Sequence, residues 1–150
     1  VAFVPQINEY RGERSVQMNI LDIRPSCAAP CPMDTFRYRA LRTGQLTPQA
    51  AAKLLPDRAT LACVWRYLAA VPGGSLQESP LCLCRKIVRR SGTELSLEQL
   101  LTCLDIFRDV GLLEEKRIHL TVAIRLRTVS GKADLTKSET MQTLLRAKES

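Results

Sequence analysis

Between residues 96 and 126 the apolar pattern changes its period at a single glycine, and that switch limits the possible folds more than any other feature of the chain. Ser96 and Gln99 have the spacing of a capping box, and Leu95 and Leu100 are placed as its hydrophobic staple, so a helix starts here. It turns Leu97, Leu100, Leu101, Leu104, Phe107 and Val110 inward and stops at Gly111. Leu112-Leu113 and a charged turn, Glu114-Glu115-Lys116-Arg117, follow. Ile118, Leu120, Val122, Ile124 and Leu126 then alternate as one face of a strand, with His119, Thr121, Arg125 and Arg127 on the other. A helix feeding a β-hairpin through a tight glycine is the expected unit.

Further helices precede it. Thr47-Pro48 is a helix start that leads into Ala50-Ala51-Ala52-Lys53-Leu54-Leu55 and ends at Pro56. Asp57 caps a second helix, in which Leu61, Val64, Trp65, Leu68 and Ala69 recur at helical spacing up to Pro72-Gly73-Gly74. A third, about residues 80–90, separates Leu81, Cys84, Ile87 and Val88 from Arg85, Lys86, Arg89 and Arg90. Thr136 and Glu139 suggest another capping box, opening a short closing helix with Met141, Leu144 and Leu145. Residues 36–41 read as a short basic stretch. Helices followed by a hairpin, in this order, predict a mainly helical, winged-helix-like domain over residues 35–150. The exposed side of the helix that would enter a major groove carries Glu98, Gln99, Thr102, Asp105, Arg108 and Asp109, and phosphates would repel those acids, so base reading by that helix is not expected.

Residues 1–25 form a separate pattern. Arg11-Gly12 is a tight turn, and pairing from it sets Ile7 opposite Val16, Pro5 opposite Met18, Phe3 opposite Ile20 and Glu9 opposite Arg14. One face is apolar and closes on an ion pair. The other carries Gln6, Asn8, Tyr10, Glu13, Ser15, Gln17 and Asn19, a polar surface that is either solvated or meets nucleic-acid bases and phosphates. A lone hairpin is marginal in water, so its apolar face is expected to pack on the helices, on a missing domain or on a second copy. Residues 26–34, with two prolines and small side chains, read as the linker between the two parts. The chain opens on Val1 inside a strand, as expected of a piece of a longer protein.

Lys and Arg number 22 against 15 Asp and Glu, a net charge of +7 that favours an acidic partner, nucleic acid first. His119 is the one histidine, which removes most hydrolytic triads and metal hydrolases and points to binding rather than catalysis by this piece. Cys27, Cys31, Cys82 and Cys84 lack the doubled two-to-four-residue knuckle of a structural zinc site, and Cys63 and Cys103 sit among apolar residues. Reduced thiols are expected, with metal binding by the first four as the alternative. No apolar run is long enough to span a membrane and no signal-peptide pattern opens the chain, so the expected location is the cytoplasm.

Asn8-Glu9-Tyr10-Arg11-Gly12 with Val16-Gln17 and Asp22-Ile23-Arg24-Pro25 resembles the closing strands of the OB-fold domain in RecJ-type single-strand-specific DNA exonucleases. Four later stretches look like the extra C-terminal region of some bacterial members: Leu55-Pro56-Asp57-Arg58, Trp65-Arg66-Tyr67-Leu68, the run from Asp105 to Leu112, and Lys132-Ala133-Asp134-Leu135. The resemblance implies a parent enzyme that degrades single-stranded DNA from its 5′ end with divalent manganese or magnesium in recombination and repair. That family's Asp and His metal motifs lie upstream and none occurs here. The overall expectation is an α+β chain, a truncated OB-type hairpin plus the helical domain, acting as a non-catalytic accessory region without its own cofactor. Its expected partners are single-stranded DNA and the catalytic core or a repair protein, with a dimer through the hairpin as a further possibility. Candidate DNA contacts are Gln6, Asn8, Tyr10, Arg11, Arg14 and Gln17 on the hairpin; Arg85, Lys86, Arg89 and Arg90; and Lys116, Arg117, Arg125 and Arg127. The alternative for each is an ordinary solvated face, and for the whole piece a protein-docking or structural module.

Overall fold

A computed structural model describes residues 2–22, 35–118, 120–129, 131 and 133–150. The expected linker over 26–34 with Cys27 and Cys31, the end of the OB-like motif at residues 23–25, His119 and Lys132 lie outside the described residues. The fold is α+β.

The first hairpin pairs β1 (Ala2–Tyr10) with β2 (Glu13–Asp22) in the predicted register, including Pro5 opposite Met18, Ile7 opposite Val16 and Glu9 opposite Arg14. Arg11 and Gly12 have φ of 53° and 81°, the pair of left-handed residues that a two-residue turn uses to match the twist of its strands. Every described side chain over residues 4–21 is exposed. The expectation that the apolar face packs on the helices is therefore corrected: Ile7 is 72% exposed, Val16 75% and Met18 62%.

The remaining elements are α1 (Phe36–Thr43), α2 (Pro48–Leu54), α3 (Arg58–Ala69), β3 (Ser75–Glu78), α4 (Pro80–Ser91), α5 (Leu97–Asp109), β4 (Leu113–Ile118), β5 (Thr121–Leu126) and α6 (Glu139–Glu149). The helix starts follow the capping chemistry in the sequence. Thr47, Asp57, Ser79 and Ser96 each accept a backbone N–H three residues on, and Gln99 returns its carbonyl oxygen to the Ser96 N–H. At α6 the cap is Ser138, which accepts from the Met141 N–H, while Thr136 donates to Asp134; this corrects the expected Thr136–Glu139 box.

Three strands form an antiparallel sheet in the order β3-β5-β4. The Glu114-Glu115-Lys116-Arg117 segment lies within β4 and is not a turn. Its charges are accommodated in a strand because α5 and Arg127, just past the end of β5, offer partners of opposite sign. Leu113, Val122 and Ile124 turn toward a core built from Leu54, Val64, Leu68, Leu83, Ile87, Leu104, Phe107 and Leu144. Trp65 meets Phe107 edge-to-face at 5.4 Å between centroids.

Helix α5 is the centre of this domain, and every residue from 100 to 107 is buried. Its polar side is thus covered, against the expectation that Glu98, Thr102 and Asp105 face solvent. Glu98 binds the Arg37 guanidinium and backbone N–H, and Asp105 accepts the Tyr38 hydroxyl, so α1 closes over this side. Asp109 accepts from the Ser138 hydroxyl and the Thr140 N–H at the start of α6. A binary reading takes polar residues as solvent-facing. Here the covering helices bring the matching donors.

Candidate nucleic-acid interface

The solvent side of α4 is the densest basic surface that the sequence singled out. Leu83, Cys84 and Ile87 are buried, which forces Arg85, Lys86, Arg89 and Arg90 outward. Helical spacing divides these four into two neighbouring pairs, 85 with 89 and 86 with 90. Arg85 and Arg89 border a depression of about 540 Å3 between α4 and the start of α5, where Arg37 and Glu98 also lie. On the other side, Lys86 Nζ is 2.5 Å from Glu78 Oε2 on β3, an ion pair that raises the lysine pKa through hydrogen bonding and charge. The Arg90 guanidinium lies over the Tyr67 ring of α3, 5.8 Å from its centroid.

Tyr67 and Arg66 belong to this surface although composition alone did not nominate them. Ala59, Cys63 and Tyr67 follow one another at four-residue steps along α3, so two small side chains and then an aromatic ring line one groove against the last turns of α4. That small-small-aromatic spacing is the signal that was present in the sequence.

The basic residues of the second hairpin are placed differently. Arg117 donates to Glu115 at 2.6 Å and to Asp105 at 3.2 Å, and its guanidinium carbon lies 5.3 Å from the Tyr38 ring centroid. Arg127 is paired with Glu114 across the strands, with Nε 3.0 Å from the carboxylate oxygen. The Glu114 carboxyl is held below its usual range by the Arg127 hydrogen bond and charge, with Arg125 adding a smaller effect. Lys116 and Arg125 are exposed and border a shallow groove on the sheet, together with Glu114 and Glu115. Arg117 and Arg127 therefore have carboxylate partners within the protein.

On the first hairpin the structure brings Gln6, Asn8, Tyr10 and Gln17 to one face and Arg14 to the other. The amides bind one another across the strands, Asn19 to Gln6 at 2.7 Å and Asn8 to Gln17 at 3.3 Å. Arg14 meets Glu9 at 3.3 Å, and Arg11 lies over the Tyr10 ring at 5.2 Å.

The buried polar side of α5 ties α1 and β4 to this helix. Asp105 is reached by Tyr38, Arg108 and Arg117, and Glu115 by Arg108 and Arg117. Burial and the adjacent Asp105 push the Tyr38 hydroxyl well above its ordinary pKa, so it remains a proton donor. Partial burial raises the Asp109 carboxyl, but the Thr140 and Ser138 hydrogen bonds and Arg108 outweigh it and leave the pKa lowered. Among the described residues, no three His, Cys, Asp or Glu side chains form a group that could hold a metal ion.

Cys82 is disulfide-bonded, which corrects the expectation of reduced thiols throughout, whereas Cys63, Cys84 and Cys103 are free. Burial pushes the Cys84 thiol up to about 11. Among the described residues no helix is long and apolar enough to cross a membrane. Comparison with protein-family models, curated proteins and solved structures gives no match for this chain.

Proposed function

We propose that this chain is a non-catalytic, winged-helix-like accessory module that helps a RecJ-like 5′→3′ exonuclease hold single-stranded DNA. The order α3-β3-α4-α5-β4-β5, with the sheet arranged β3-β5-β4, fits the winged-helix reading. The first hairpin fits the end of an OB-type domain. One observation carries the DNA reading: α4 presents Arg85, Lys86, Arg89 and Arg90 to solvent within two turns. Because α5 is covered, contact is expected through α4 and the adjoining side of α3, by phosphate attraction and stacking rather than by a helix in a major groove.

The test replaces Arg85, Lys86, Arg89 and Arg90 by Gln and measures oligo(dT) binding over a salt series. The expected result is weaker binding and a salt slope shallower by about 0.7 for each phosphate no longer neutralised. Unchanged affinity and slope would overturn the reading. A second reading, docking on the catalytic core or on a replication or repair protein, is favoured by the bare apolar face of the first hairpin. The acidic side of α5 gives it no support, because that side is buried.

A further inference from the structure

The groove between α3 and α4 differs chemically from the depression beside α5 and from the groove on the sheet. It encloses about 370 Å3, within the size range of small-ligand sites. Carboxylates line the depression beside α5, through Glu98, and the groove on the sheet, through Glu114 and Glu115. Among the described residues the walls of the α3–α4 groove carry none: Arg66, Tyr67 and Arg90 lie with the hydroxyl-bearing Ser91 and Thr93, and Cys63 is beside them. Its positive charge is therefore not cancelled locally.

The three main side chains are also arranged to leave binding capacity. Arg66 donates its Nε–H to the Ala62 carbonyl of its own helix at 3.2 Å, which fixes the guanidinium against α3 and leaves the Nη groups for a ligand. The Arg90 guanidinium carbon lies 5.8 Å from the Tyr67 ring centroid, a cation–π distance, and a guanidinium has N–H groups to offer phosphate oxygens. Tyr67 is half-buried, so its ring is held by packing while its exposed part offers a base an aromatic surface beside Arg90.

We propose that this groove binds one nucleotide of a single-stranded nucleic acid, with the base stacked on the Tyr67 ring and the adjacent phosphate held by Arg66 and Arg90. The proposal rests on the single-strand-binding reading and adds a specific base-stacking site to it.

The experiment compares the full chain binding oligo(dT) and an abasic oligodeoxyribose phosphate of the same length. The wild type is expected to prefer oligo(dT). Tyr67→Leu should weaken oligo(dT) binding about 5- to 150-fold, the range of one base–aromatic stack, and leave the abasic strand unaffected. Tyr67→Phe should retain binding. Because Arg66 and Arg90 are exposed, Arg66→Gln and Arg90→Gln test the site without disturbing the core, and each should lower affinity for both strands. Equal wild-type affinity for the two strands, or full oligo(dT) binding by Tyr67→Leu, overturns the stacking site. If that occurs while the α4 variant still loses binding, the broader reading stands without the groove. No binding of either strand by the wild type at low salt overturns both.

Discussion

Replacing Asp105 by Asn should be among the most damaging single changes to the helical domain, and the geometry sets the magnitude. The carboxylate is 1% exposed, accepts the Tyr38 hydroxyl, and lies 2.7 Å from Arg108 Nη1 and 3.2 Å from Arg117 Nη2. An amide is neutral: with Oδ1 kept toward the arginines its Nδ2–H can donate to the Tyr38 oxygen, so the main loss is the negative charge that both guanidiniums pair with. Breaking a buried ion pair costs about 3–5 kcal/mol. Both arginines stay over a third exposed and keep Glu115 as a partner, which places the cost near the low end, about 3 kcal/mol. For a domain of this size that lowers the melting midpoint by roughly 12 °C. Urea denaturation followed by circular dichroism at pH 7 measures the loss. Tyr38→Phe alone should cost about 1.5–3 kcal/mol, and the double variant less than the sum, since both changes alter the same hydrogen bond. A loss below about 1 kcal/mol for Asp105→Asn, or strict additivity, would refute the claim that α1 is fastened to α5 through this carboxylate.

Two further outcomes follow from the same structure. The Asp109 pKa is lowered from its ordinary 3.8, so its contribution to stability is present above about pH 4 and disappears as pH falls through the lower folded-state value. The stability gap between wild type and Asp109→Asn should therefore be largest above pH 4 and close in stronger acid, and a gap that widens on acidification would contradict this. On the first hairpin, Ile7→Thr with Val16→Thr should move the melting midpoint of the helical domain by no more than about 2 °C, because both side chains are exposed. A much larger drop would show that the face is packed.

The parts of the fold that local chemistry determines were legible in the sequence. Arg11-Gly12 set the register of the first hairpin from Phe3 to Ile20, because a two-residue turn leaves the strands one way to pair, and only at Ala2 does the pairing shift. Asp57 and the Ser96–Gln99 box likewise marked their helices. Tertiary partners decided what was missed. β3 is four residues with one apolar side chain, Leu76, and takes strand form because β5 supplies its hydrogen-bonding edge. α1 interleaves its apolar residues with three arginines and is fastened by Tyr38 and Arg37 to acids some sixty residues away. Those acids on α5 and the charges of β4 read as solvent-facing for the same reason: their partners are distant in sequence. On the candidate surface, α4's basic side followed directly from periodicity. The groove it shares with Tyr67 required knowing that α3 and α4 are adjacent.

Single-strand binding itself is tested by the fluorescence anisotropy of single- and double-stranded oligonucleotides titrated with the wild-type chain across a salt series. An accessory module of this kind should prefer single strands, with an affinity that falls steeply as salt rises. Absence of binding at low salt, or equal affinity for the two forms, would contradict it.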